Sequence, residues 1–203
     1  MDNARFNSSY LSLIDHKKEI RKELGIPEND FVVLFTGKFY DVKRPLDLIK
    51  AFELASIENK SLVMVGDGIL KSNMEQYILD SKIDRVILPG FINQSEISKY
   101  YIASDVLVLC SESETWGLSI NEAMNFRLPI ILNENIGCHS DLLVDGVNGI
   151  LFRKGNIDDL SNAITRIGKD KAFRKSAGME SNKIINKYSF DAIIKGLKLS
   201  LKL

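Results

Sequence analysis

This chain has little material for metal or redox chemistry. It holds two cysteines and two histidines, Cys110 and Cys138 lack the spacing of a metal-ligand pair, and no Asp-x-Asp occurs. Charge of one sign is also missing. Twenty-seven basic residues balance 27 acidic ones, so nothing at whole-chain level points to nucleic acid as a partner. No apolar run approaches the ~20 residues that span a bilayer. Met1-Asp2-Asn3-Ala4-Arg5-Phe6-Asn7 has no apolar signal-peptide core. The expected compartment is therefore the cytoplasm, with both thiols reduced. Two nucleotide motifs are absent as well. There is no G-x-x-x-x-G-K-[ST] loop, and Gly66-Asp67-Gly68 is not completed to G-x-G-x-x-G.

What is present is a core and a rhythm. A length of 203 residues with 45% hydrophobic composition suits one medium globular domain. Short apolar runs alternate with helical patterns. Strands are expected at Phe31–Thr36, Ser61–Val65, Arg85–Leu88, Asp105–Cys110, Pro129–Leu132 and Gly149–Phe152. Helices are expected at Leu13–Leu24, Pro45–Leu54, Leu70–Leu79, Gln94–Ile102, Gly117–Phe126, Ser140–Val144 and Ile157–Ile167. Two more follow, broken near Tyr188-Ser189. About six strands alternating with helices predict an α/β fold, a single Rossmann-like, doubly wound parallel sheet with helices on both faces. Residues 1–30 read as a connector with a lead-in helix, 31–188 as the sheet domain and 189–203 as a C-terminal helix. Cys110 falls in a strand pattern as a small core residue.

Chemistry-bearing residues gather where strands end. After the first strand comes Gly37-Lys38-Phe39-Tyr40-Asp41-Val42-Lys43-Arg44. Lysines there can reach a diphosphate across the sheet edge, and read in isolation they are solvated surface charges. Gly66-Asp67-Gly68 follows the second strand and is either a tight turn or a close backbone approach to a ligand. Pro89-Gly90-Phe91 follows the third, with Phe91 in the core or beside a ligand. Asn93 suits a helix cap. After the fourth strand runs Glu114-Thr115-Trp116-Gly117-Leu118-Ser119-Ile120-Asn121-Glu122-Ala123-Met124. It puts a carboxylate on a loop, a glycine at a helix mouth and a second carboxylate on the helix. In an open α/β sheet that edge is where ligands bind.

The phrase E-x-W-G-L-S-x-x-E-A-M resembles the signature of the family 4 retaining glycosyltransferases of the GT-B fold. Gly37-Lys38 with Lys43 is similar to that family's Gly-Arg-x-x-x-x-Lys, Lys38 standing where Arg is usual. That replacement keeps the charge and loses the bidentate fork. Gly66-Asp67-Gly68 matches its Val-Gly-x-Gly. The resemblance covers about Asp2 to Leu199 and corresponds to the C-terminal, donor-binding half of such an enzyme. Arg127 departs from it, standing where Gly is usual, and Gly137-Cys138-His139-Ser140-Asp141 varies the Gly-Gly-x-x-Glu segment that shapes the sugar end.

The resemblance implies roles. Lys43 and Lys38 bind the donor diphosphate, Glu114 lies by the transferred sugar and Glu122 holds the ribose hydroxyls. Gly37, Gly66, Gly68, Gly117 and Leu118 approach the donor with their backbones, Phe91 lies along the base and Trp116 packs the loop. It further implies a nucleotide-diphosphate sugar as substrate, no metal, an acceptor domain outside this chain, and a membrane-associated cytoplasmic enzyme as one form of the whole. Turnover by this half alone is expected to be weak or absent. Two other readings stand beside this one: a sugar-nucleotide epimerase-like GT-B half, and a non-catalytic nucleotide-sugar-binding module. The apolar tail Ile193, Ile194, Leu197, Leu199 and Leu201 permits docking on another chain or self-association.

Overall fold

The computed structural model describes residues 2–201; the side chains of Asp191, Ile193 and Leu199 fall outside that description. Six strands form one parallel sheet: β1 (Phe31–Thr36), β2 (Lys60–Val65), β3 (Val86–Gly90), β4 (Val106–Val108), β5 (Ile130–Asn133) and β6 (Gly149–Phe152). Their order is β3-β2-β1-β4-β5-β6, so the chain reverses its direction of travel between β1 and β4. The doubly wound α/β sheet expected from the sequence is present. Such a reversal opens a crevice at the carboxyl ends of the two strands.

Strand periodicity sorts the core onto two faces. Val32 and Leu34 of β1 point to one side, with Leu107 of β4 and Ile130 of β5. The helices there are α1 (Asn3–Leu13), α2 (Lys17–Glu23), α5 (Ile97–Ala103), α6 (Leu118–Asn125) and α9 (Lys171–Ile185). Phe31, Val33 and Phe35 point to the other, against α3 (Pro45–Leu54), α4 (Lys71–Asp80) and α8 (Ile157–Lys169). Both faces of the central strands are buried, which is why they read as unbroken apolar runs. A four-residue α7 (His139–Leu142) lies between β5 and β6, and α10 (Phe190–Ser200) ends the description.

Three differences from the sequence reading have clear causes. The lead-in is not one helix over 13–24 but two, α1 and α2, joined by a tight helical turn at Ile14–His16. Asp2 caps α1 by accepting from the Arg5 amide at 3.0 Å, and Phe6 and Tyr10, one helical step apart, enter the core. The fourth strand stops at Val108, and Leu109 and Cys110 continue as buried irregular chain. Asn93, expected to cap the next helix, accepts from the Ser95 and Glu96 amides, and the helix proper begins at Ile97. At the sheet edge Leu88 and Pro89 stand opposite the single Met64, a bulge that accommodates a proline lacking an amide donor.

Candidate functional site

Two adjoining cavities open at the carboxyl ends of β1 and β4. The larger, about 800 Å³, is lined by Lys38, Gly66, Gly68, Phe91, Tyr101 and Glu122 among others. The smaller, about 330 Å³, is lined by Lys43, Ser111, Glu114, Trp116, Gly117 and Leu118 among others. They share Thr36 and Gly37 at the end of β1 and Ser119 in the first turn of α6.

The smaller cavity holds a direct ion pair between Lys43 Nζ and Glu114 Oε2, with both side chains largely out of solvent. Each partner is fixed by its backbone. Gly137 N donates to Glu114 O at 2.7 Å, and Glu114 pairs with Ile136 in an isolated parallel bridge. The tight turn Asp41–Lys43 is tied to the end of β4 by the Cys110 thiol, whose Sγ lies 3.4 Å from Lys43 O and 3.2 Å from Arg44 O. Burial pushes that thiol up to about 12, so it stays a neutral donor. Arg44 adopts a left-handed φ of 49° just before Pro45 and pairs with Asp47, a helix-start role. Gly117 opens α6 at φ 81°, ψ 73°. The first amides of a helix lack internal partners and face anions favourably. Leu118 is exposed at the mouth. Trp116 Nε1 donates to Asn121 Oδ1 at 2.9 Å and its ring packs near Tyr188, so it is a packing residue that also lines the cavity.

The larger cavity is floored by glycine. A Cβ on Gly66, at φ 149°, would sit 1.8 Å from Gly37 O, so the two strand-end loops touch through their backbones. The close approach is to protein, and the same glycines face the cavity. Phe91 is 79% exposed and lines the cavity, which removes the core alternative for it. Glu122 Oε2 accepts from the Tyr101 hydroxyl at 2.6 Å. Desolvation raises the Glu122 carboxyl above its ordinary range, opposed by the Tyr101 hydrogen bond and by Arg5. Desolvation and Glu122 raise the Tyr101 phenol well above its own range, so it remains a donor.

The sequence grouped Lys38 with Lys43, and the geometry separates them. Lys38 is exposed with its ammonium 5.8 Å from the Tyr40 ring centroid, in the larger cavity. Thr36, Tyr101 and Ser111 line the cavities without having been singled out as site residues, and Ser119, although inside the E-x-W-G-L-S-x-x-E-A-M phrase, was given no role of its own. Tyr101 lay inside an apolar helical pattern, and Ser111 opened the polar stretch just past the fourth strand. Among the described residues no group of three or more His, Cys, Asp or Glu side chains is placed to hold a metal ion. Also among them, no helix is long and apolar enough to cross a membrane.

The profile of the glycosyl transferases group 1 family matches residues 16–184. The chain belongs to this family. One relative is the UDP-Gal:alpha-D-GlcNAc-diphosphoundecaprenol alpha-1,3-galactosyltransferase of Escherichia coli, 33% identical over 174 residues, 83% of this chain and 44% of that protein. Another is the alpha-monoglucosyldiacylglycerol synthase of Acholeplasma laidlawii, 32% identical over 152 residues, 73% of this chain and 37% of that protein. The chain thus spans less than half the length of these relatives. Anabaena HepE, solved with UDP and glucose, superposes with a TM-score of 0.81 at 24% identity, covering 92% of this chain and 52% of that one. The C-terminal domain of LpcC from Francisella tularensis superposes at 0.77 with 22% identity, covering 86% of this chain and 93% of that domain. The family membership and these likenesses together give a group 1 glycosyltransferase domain with the GT-B fold.

Proposed function

We propose that this chain is the donor-binding half of a retaining glycosyltransferase that moves a hexose-type sugar from a nucleoside diphosphate to a glycan or lipid-linked acceptor. The observation that carries the reading is the pair of cavities meeting at Thr36, Gly37 and Ser119, one with Glu122 and the other with the Lys43–Glu114 pair. The larger takes the nucleoside. Glu122 accepts hydrogen bonds from the ribose diol, and exposed Phe91 offers its ring to the base. The smaller takes the sugar, with Glu114 on its hydroxyls.

The diphosphate spans the junction. There it meets the Lys43 ammonium, the Lys38 ammonium from the nucleoside side, and the amides at the Gly117–Leu118 helix mouth. On arrival it draws Lys43 from Glu114, which frees that carboxylate for the sugar. When the bond from the anomeric carbon to the phosphate oxygen breaks, negative charge grows on the diphosphate. Preorganised donors facing that charge are the main catalytic contribution such a site makes. The acceptor hydroxyl oxygen then bonds to the same face of the anomeric carbon, and its proton passes to the departing diphosphate oxygen. Contacts to the acceptor come from a domain outside this chain, and the chain needs no metal to hold its donor.

Calorimetric titration with UDP, GDP, ADP and their sugar conjugates tests this. The expected result is saturable binding of one nucleotide, unaffected by a chelator and weakened by about 1.5–3 kcal/mol in Lys43→Ala, the size of a charged hydrogen bond. A folded chain that binds none of them overturns the reading, as does binding indifferent to Lys43→Ala.

A further inference from the structure

Tyr101 of α5 is wholly buried, and its ring stacks on Phe126 with centroids 5.2 Å apart. Phe6 and Tyr10 of α1 meet Phe126 edge-on, so the phenol stands in an aromatic cluster that holds its ring in place. No ligand reaches a group so enclosed. Its hydroxyl donates instead to Glu122 Oε2 at 2.6 Å. Glu122 is only half-buried, stands on a different helix, α6, and lines the larger cavity. A glutamate side chain is flexible, and fixing it costs entropy unless a partner holds it.

An ionised carboxylate has two oxygens, each able to accept more than once. The phenol occupies one site on Oε2. Among the described residues no other hydrogen bond reaches this carboxylate, which leaves Oε1 and the second site of Oε2 for a ligand in the cavity. Two adjacent acceptors match two vicinal hydroxyls, as on a ribose. We infer that Tyr101 is a positioning residue for the nucleotide: its enclosed hydroxyl fixes the Glu122 carboxylate in the orientation that meets the ribose diol. The inference rests on the proposed donor-binding function and adds the group that sets its selectivity for ribose. Arg5 of α1 also acts on Glu122, and Lys38, Tyr40 and Asp67 line the same cavity. α9, which packs on α6 as well, buries Ala177, Gly178, Ser181 and Ile185, none of which titrates. Desolvation raises the Glu122 carboxyl and the Tyr101 hydrogen bond opposes that rise, so removing the hydroxyl drives it higher.

Tyr101→Phe keeps the ring and removes the hydroxyl. It is compared with the unaltered chain by titrating UDP, GDP and ADP, and the 2′,3′-dideoxy form of whichever binds, from mildly acidic to neutral pH. The expected result is a loss of about three- to tenfold for the ribonucleotide, one hydrogen bond's worth, and none for the dideoxynucleotide, which has no diol. The growth of ribonucleotide affinity with pH should also shift to higher pH. Tyr100→Phe, the neighbouring tyrosine on α5, should change neither affinity. Equal loss for both nucleotides, or a like loss in Tyr100→Phe, would make the effect one of packing and overturn the inference. So would an unchanged ribonucleotide affinity or an unmoved pH profile. Should Tyr101→Phe not fold, proton NMR of the unaltered chain decides. A Tyr101 hydroxyl proton slow to exchange with water, its resonance moving as Glu122 titrates, upholds the inference, and its absence overturns it. If the unaltered chain binds no nucleoside diphosphate, the proposed function fails and this inference with it. Binding weakened by Lys43→Ala but not by Tyr101→Phe sinks the inference alone.

Discussion

Glu122 keeps one hydrogen-bonding side chain, Tyr101, and a carboxyl that burial makes harder to ionise than usual. Two pH effects of opposite sign follow. Its folded-state value is raised, so its contribution to stability is full below the ordinary glutamate range and is lost as pH rises through the raised value. On the proposed reading Glu122 meets the ribose hydroxyls in its ionised form, so nucleotide affinity should grow over that same rise. Titrations from mildly acidic to neutral pH should show this growth in the unaltered chain and lose it in Glu122→Gln. Glu122 itself was legible in the sequence because a glycine, a helix start and a second glutamate framed it. Tyr101 was not, since a tyrosine inside an apolar helical pattern carries no mark of the group its hydroxyl will meet. Arg127 lies between these cases. Its left-handed φ of 56° keeps the backbone bend that the usual glycine would allow, and its guanidinium lies 4.1 Å from the Tyr10 ring centroid. The sequence pointed to an altered turn there; the aromatic partner was invisible more than a hundred residues away.

At the scale of elements, the helical lead-in is locked to the sheet by one carboxylate. Asp105, just ahead of β4, accepts from Lys17 at 2.9 Å, from Arg21 at 2.7 Å and from the Val32 amide of β1 at 2.8 Å. Burial alone would push its carboxyl up, but the Lys17 and Arg21 charges outweigh that and hold it below the usual range. Its stabilisation is therefore present above the ordinary aspartate range and lost as pH falls through the lowered value. Asp105→Asn should cost about 3 kcal/mol, toward the low end for breaking a buried pair from one side. The low end applies because Lys17 keeps 30% of its side chain in water. Thermal unfolding across acidic pH checks both points: a melting temperature lower by roughly 6–12 °C near neutrality, and a flattened acid limb. The strands were legible because burial on both faces writes itself as unbroken apolar runs. The first helix was hidden because its buried face rests on two aromatics, Phe6 and Tyr10, within an otherwise polar stretch.

For the molecule as a whole, α10 carries an exposed apolar stripe among the described residues. Phe190, Ile194, Leu197 and Leu201 recur at helical spacing and are all at least half exposed. A stripe of that kind drives association. Sedimentation of this chain should show a concentration-dependent species larger than a monomer, lost in Leu197→Asp. A monomer at every concentration would refute the self-association.

The uneven division of the site has a consequence for turnover. On the proposed reading the chamber that holds the nucleoside is more than twice the size of the one that holds the sugar, about 800 against 330 Å³. Once the sugar has gone, the spent carrier still sits in the larger share of its seat. On that reading the whole enzyme would compete with its own by-product, and its pace in a cell would follow how quickly the surroundings clear that by-product away.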